Sequence, residues 1–350
     1  MVEDWPLARK RWEAWWHGDL FDRVVTCIAA PREGVKPAPV PESNPETQWM
    51  DADFMIRRTR EEIRTTWYGG ERVPLFWHNW SVGHALMFGC RPHFTPDTVW
   101  ADPAPAAANG YPSFDGWERH PHWAWLVRAT EQAVAASRGE YFVMPMWGNH
   151  AVDNLAVVRG AEQLAIDVAE NPGWVADAVE RLSGILMEQF DRLWQIVRPP
   201  GRETDGSVNY CGCWSPAKTM GFDCDFSCMV SPDAFRRLFL PPLLQTMHTV
   251  DHRIYHLDGV CALQHLDTLL ELPEIHAIQW VPGAGREAIL QWVPMLQRIQ
   301  AKGKALHLSV APQEIEPLLR TLRPQGLCLC TYTASESEGR RLLKQITEWS

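Results

Sequence analysis

The stretch Tyr255-His256-Leu257-Asp258-Gly259, answered by Gln279-Trp280-Val281-Pro282-Gly283, decides how this chain folds. It reads as a strand with a polar tip, a helix, and a second strand with its own polar tip. Side chains along a strand alternate between its two faces. His256 and Asp258, two residues apart, therefore turn the same way. An imidazole beside a carboxylate suits a metal ligand set or a proton-transfer step.

The same rhythm continues to the C-terminus. Strands are expected over 253–257, 277–281, 305–309 and 326–331, with helices over 262–270, 286–300 and 312–322 between them. A last helix opens at Ser335, with Glu338 three residues on as a capping box. Upstream, Asn171-Pro172 starts a helix carried by Val175, Val179, Leu182, Leu186, Phe190, Leu193 and Val197. Pro199-Pro200-Gly201 ends it. A strand follows over 207–210. Ser231-Pro232-Asp233 opens another helix, which Pro241-Pro242 breaks or kinks. The first half is less regular. It offers an amphipathic helix over 7–16, strands over 23–29, 73–79 and 141–147, a proline-rich loop over 31–45 and a charged helix over 51–65. Residues 1–22 read as an N-terminal helical extension and 92–122 as a loop-rich insertion.

Strands alternating with helices at this pitch imply βαβ units on a parallel sheet. The expected strands number eight. The fold expectation is therefore α/β, a single (β/α)8 TIM barrel spanning residues 1–350, with an open α/β sheet as the competing architecture. No Gly-x-Gly-x-x-Gly follows the first strand and no phosphate-binding loop of the Walker type occurs, which disfavours a dinucleotide or nucleoside-triphosphate fold.

The chain has 350 residues, of which 46% are hydrophobic, enough for a large core. A formal charge of −10 argues against nucleic acid as a partner, because phosphate binding needs a basic face. No apolar run reaches the roughly 18–20 residues that cross a bilayer. The start, Met1 to Pro6, lacks the pattern of a secretory signal. Nine cysteines with no Cys-x-x-Cys pair are expected to be reduced thiols in a cytoplasmic protein. Nineteen tryptophans are mostly expected in the core, including Trp12, Trp15 and Trp16.

Several runs resemble the uroporphyrinogen decarboxylase-like superfamily, closest to its corrinoid-dependent methyltransferase branch. They are Asp225-Phe226-Ser227-Cys228-Met229-Val230-Ser231-Pro232 with Phe235 and Pro241; His256-Leu257-Asp258-Gly259 with His265, Leu269 and Leu270; Ile278-Gln279-Trp280 with Pro282-Gly283; and Gly326-Leu327 with Ser335 and Glu338. The resemblance covers roughly residues 140–350 and implies a (β/α)8 barrel. It also implies methyl transfer between a corrinoid on a separate partner protein and a small acceptor, with zinc as cofactor. The zinc motif of that branch, His-x-Cys plus a distant Cys, falls on His256, Asp258 and Cys330. Asp258 thus stands where the branch has a thiolate. A carboxylate binds zinc through oxygen and makes a harder site. The decarboxylases' arginine-rich motif is represented only by Arg32, too little for a polycarboxylate porphyrinogen.

The candidate catalytic residues are His256, Asp258 and Asp225. His256, Asp258 and Cys330 are the candidate metal ligands, with Cys328 beside Cys330 at period two. Candidate substrate-binding residues sit at expected strand ends: Asn79 beside Trp77 and His78; Trp147, Asn149 and His150; Asn209 beside Tyr210; Trp280; and His307. Each has a bland counterpart, such as a core histidine, a capped loop or a buried thiol. Cys211-x-Cys213 has no second pair to match it as a metal site. Two other functions remain open on these residues. One is a metal-free lyase or decarboxylase using Asp225, Asp258 and His256 as acid and base. The other is a non-enzymatic small-molecule binder lined by tryptophan.

Overall fold

The computed structural model describes residues 4–39, 43–78, 80, 82–146, 151–198, 206–286 and 288–350. Its strands, in chain order, are β1 (Val25–Pro31), β2 (Thr66–Gly70), β3 (Leu75–Phe76), β4 (Arg91–Phe94), β5 (Val99–Asp102), β6 (Phe142–Val143), β7 (Ser207–Val208), β8 (Trp214–Ser215), β9 (Thr219–Phe222), β10 (His252–Asp258), β11 (Ala277–Val281), β12 (Ala305–Ser309) and β13 (Leu327–Tyr332). The main sheet has seven strands in the order β2-β1-β13-β12-β11-β10-β9. All its neighbours are parallel except β2, which runs antiparallel along β1.

Every expected strand position holds a strand, yet the expected closed ring is not formed by hydrogen bonds among the described residues. β3 and β6 pair only with each other, and β7 folds back on β8. The reason is local chemistry. Pro74 precedes β3 and Pro145 follows β6, and a proline has no N–H to give a ladder. β6 still touches β7, and β7 touches β9. The result is a barrel-like α/β fold around a mostly parallel sheet.

The second half follows the expected boundaries closely, and proline explains most of the differences; the helix expected over 262–270 is instead two short α-helical pieces, Gly259–Ala262 and Leu266–Leu270, joined by a 3-10 turn, Leu263–His265. The helix expected over 286–300 begins as a 3-10 turn, Ile289–Trp292, and becomes α-helical only at Val293–Ala301. Pro294 lies near that N-terminus, where a missing N–H costs nothing. Pro241-Pro242 is accommodated by a π-helical turn, Phe235–Phe239, ahead of the helix Leu240–Met247. At Ser335 the hydroxyl accepts from the Glu338 N–H at 3.2 Å, while the Glu338 carboxylate takes the Ala334 N–H at 3.0 Å. Residues 92–122 hold all of the β4–β5 hairpin except Arg91, a 3-10 turn, Trp117–Arg119, and the start of the helix Pro121–Ser137. No described helix is long and apolar enough to cross a membrane.

The helix Trp5–Trp16 packs against the strands of the main sheet. Asp4 caps it, accepting from the Leu7 N–H at 3.3 Å. Trp12, Trp15 and Trp16 are buried among Val25, Cys27, Ile254, Ala277, Ala305 and Cys328, which come from the strands. Each indole N–H finds a backbone carbonyl: Trp12 on Glu71 at 3.2 Å, Trp15 on Leu306 at 3.2 Å and Trp16 on Trp214 at 2.8 Å. Trp16 also stacks on His252, ring centroids 4.7 Å apart. This set is core, as expected.

Burial fixes several histidines in the neutral state. It lowers His78 and His122 to about 3, and His252 and His276 to about 4. The unfolded chain binds these protons near pH 6.5, so between that pH and the folded values it holds more protons than the native state. Native stability is therefore full above about pH 6.5 and is lost as pH falls toward 4. Thermal unfolding followed at pH 7.5, 6 and 5 is expected to show a steadily falling Tm. A Tm that is flat or rises on acidification would contradict the neutral assignment.

Candidate functional site

The site grows from the register of adjacent parallel strands. His256 on β10 lies opposite Gln279 on β11, and Gln279 lies opposite His307 on β12. Cys330 on β13 lies opposite Cys27 on β1. Because pleats align across a parallel sheet, these side chains can share its inner face.

They form a continuous chain. His256 Nδ1 is 2.6 Å from Gln279 Oε1. Gln279 Nε2 is 3.2 Å from His307 Nδ1, and His307 Nε2 is 3.3 Å from Cys330 Sγ. The amide sets the direction. Its oxygen only accepts and its nitrogen only donates, so His256 carries its proton on Nδ1 and His307 on Nε2. His307 thus donates to the Cys330 sulfur, and His256 keeps Nε2 as its basic atom. Cys211 donates its thiol to the same Gln279 oxygen at 3.2 Å. Burial, and then Asp223, push that thiol's pKa well up, which keeps it protonated.

Beyond β10 the acid groups gather. Donor atoms of Asp225, His256 and Asp258 all lie within 4.8 Å of one another. Asp258 begins the helix Gly259–Ala262 but makes no side-chain cap to it. Asp225 opens the 3-10 turn Asp225–Met229. Asp153, on the helix Ala151–Arg159, fixes that turn by accepting the Asp225 N–H at 3.2 Å and the Phe226 N–H at 2.8 Å. Behind them lies Asp223, buried, with the Tyr210 hydroxyl donating to it at 3.3 Å. Burial, and then the neighbouring Asp225 charge, raise the Asp223 carboxyl well above the usual carboxylate range. Tyr210 meets His256 edge-on at 6.0 Å between centroids.

The thiols form a separate group. Cys27, Cys328 and Cys330 bring their sulfurs within 4.8 Å of one another. Hydrogen bonds from Cys27 and Cys328, with help from His307, pull the Cys330 thiol well below its ordinary range. Burial and the other two thiols hold Cys328 well above it.

The expected site residues divide clearly. His256, Asp258 and Asp225 converge. Cys330, expected as the third ligand with His256 and Asp258, instead closes on Cys27 and Cys328, and Asp225 takes its place. His307 is buried on the inner face within the chain described above. Trp280, expected to line the pocket, is one residue out of phase with Gln279. It is buried in the hydrophobic core, edge-on to Trp292 at 5.1 Å. Asn209 is spent inside its own turn, where its carbonyl accepts the Cys211 and Cys213 N–H groups and its amide reaches Thr219. His78 is core, bonded to Thr130 and stacked on Phe76. Asn79, Trp147, Asn149 and His150 lie outside the described residues. The expectations named Gln279 and Tyr210 only as neighbours of Trp280 and Asn209, gave them no role, and passed over Asp223 and Cys27. The available signal was register: polar residues at matching depths on successive strands.

No family model and no curated protein matches this chain. A solved structure does: "methyltransferase from Methanosarcina mazei", at 10% identity, covering 97% of this chain and 98% of that one, with a TM-score of 0.63. At that identity the likeness is one of fold, and this chain shares its α/β architecture, end to end, with a structure that is a methyltransferase.

Proposed function

We propose that this chain is a methyltransferase of the uroporphyrinogen decarboxylase-like superfamily, on a single (β/α)8-type barrel domain, in the corrinoid-dependent branch. It moves a methyl group between a corrinoid on a partner protein and a small acceptor. The observation that carries the reading is the convergence of Asp225, His256 and Asp258 at the C-terminal ends of parallel strands, where barrel enzymes place their chemistry. The end-to-end likeness to a methyltransferase supports it. Nine free cysteines support a reducing, cytoplasmic setting.

The zinc set His256, Asp258 and Cys330 does not fit this structure, because Cys330 belongs to the thiol group. One imidazole and two carboxylates fit a divalent cation with harder preferences. Such a cation, when bound, lowers the pKa of a group coordinated to it. The chain's own contribution is positional. Asp153 holds Asp225 in place. Gln279 fixes the His256 tautomer, so that Nε2 is available as ligand or proton acceptor. In the transfer, the acceptor gives up a proton and gains the methyl group without its bonding electron pair, which stays on the corrinoid.

The test is consumption of methylcobalamin in the presence of small thiol or amine acceptors, followed by absorbance. Turnover that depends on His256 is expected; an equal rate in wild type and His256→Ala would refute the site.

One observation favours a second reading, a metal-free lyase or decarboxylase. Burial, and then Asp225, raise the Asp223 carboxyl, which suits a general acid beside Tyr210. Activity in metal-stripped protein that is abolished by Asp223→Asn would select it.

A further inference from the structure

The three thiols call for an explanation apart from the acid group. Cys27 and Cys330 are direct partners on adjacent parallel strands, and Cys328 precedes Cys330 by two residues, so all three share one face. Their sulfurs lie within 4.8 Å of one another. Sulfurs bound to one zinc at about 2.3 Å stand about 3.8 Å apart in tetrahedral geometry, so little movement closes the set. Buried cysteines are often plain small hydrophobes. Two features argue against that here. His307 directs an N–H at the Cys330 sulfur from 3.3 Å. The Arg72 guanidinium packs over the Tyr332 ring at 4.8 Å, and its Nη2 donates to the Tyr332 hydroxyl at 2.8 Å, which sets a cation beside the strand that carries Cys328 and Cys330. An N–H donor spent on an apolar thiol would be wasted. With a cation close by it suits a thiolate, as an outer shell that orients and stabilises a metal ligand does.

We propose that Cys27, Cys328 and Cys330 form a thiolate site for Zn2+ inside the barrel, distinct from the acid group at the rim. Three thiolates and a divalent cation leave one negative charge, which Arg72 offsets. His307 serves as hydrogen-bond donor to a ligand sulfur. Cys330, the half-buried member, marks the side of entry. Binding displaces to solvent the thiol protons that the three cysteines still hold and involves no redox step. The site stands independently of the methyl-transfer reading.

The test uses the full chain carrying His256→Ala and Asp258→Ala, so that the rim is disabled, and titrates it with Co2+ and then Zn2+. An intense sulfur-to-cobalt charge-transfer absorption is expected, saturating at one equivalent and bleached by Zn2+. Cys27→Ser and Cys328→Ser in the same background are each expected to lose it while keeping the far-ultraviolet circular dichroism of the parent. As a check that needs no cysteine variant, Zn2+ is expected to shield Cys330, the half-buried member, from a thiol-specific reagent in the native protein, read by peptide mapping. No cobalt–sulfur absorption, or unchanged thiol reactivity with Zn2+, overturns the proposal. Failure of the rim reading looks different: wild type and His256→Ala would then bind the same number of metal ions.

Discussion

Replacing His256 with alanine is expected to reduce methyl transfer by roughly 100- to 10,000-fold, the range lost when a positioned acid–base or ligand group is removed. His256 is the member of the acid group that also joins the inner chain, through Gln279. Its removal takes away one ligand atom and leaves Asp225 and Asp258 facing each other without an intervening base. The rest of the fold should be untouched, because Gln279 keeps His307 and Cys211 as partners. Steady-state rates with methylcobalamin, alongside thermal unfolding of the same variant, separate a lost site from a lost fold. A rate within a few-fold of wild type would remove His256 from the chemistry.

Replacing Glu71 with alanine is expected to cost about 3–5 kcal/mol, as removal of one partner of a buried ion pair does. Glu71 is fully buried beside β2. It accepts from Arg23 Nη1 and Nη2 at 2.8 Å each, from Arg11 Nη1 at 2.9 Å and from the Thr26 N–H at 2.8 Å. Its own backbone carbonyl receives the Trp12 indole. One residue thus ties the helix Trp5–Trp16, the start of β1 and the end of β2 together. In the alanine variant Arg23, itself buried, keeps a charge with no carboxylate to meet it. Urea denaturation should show a lower midpoint with little change in slope. A loss below about 1 kcal/mol, typical of an exposed pair, would contradict the network described here.

The second half of the molecule was largely legible because its signals are local. Proline or a capping serine punctuates most of the helices, and apolar strands fall between them at regular intervals. β11 and β12 match their expected bounds residue for residue. β2 was passed over because Thr66-Trp67-Tyr68 follows a helix without a break, and only pairing with β1 makes it a strand. The site was legible where two residues on one strand sufficed, as with His256 and Asp258. It was not legible where partners meet across strands. Nothing local joins Cys27 to Cys330, since their separation in sequence is bridged only by register. The Trp280 expectation failed by one residue, because a strand tip offers either phase and only packing decides which side chain faces inward.

Anomalous diffraction at the manganese edge, from crystals grown with Mn2+, is the decisive measurement for the rim. A peak is expected among Asp225, His256 and Asp258, with one ligand atom of each about 2.0–2.5 Å away. An empty rim with those three side chains turned apart in well-ordered density would contradict the site.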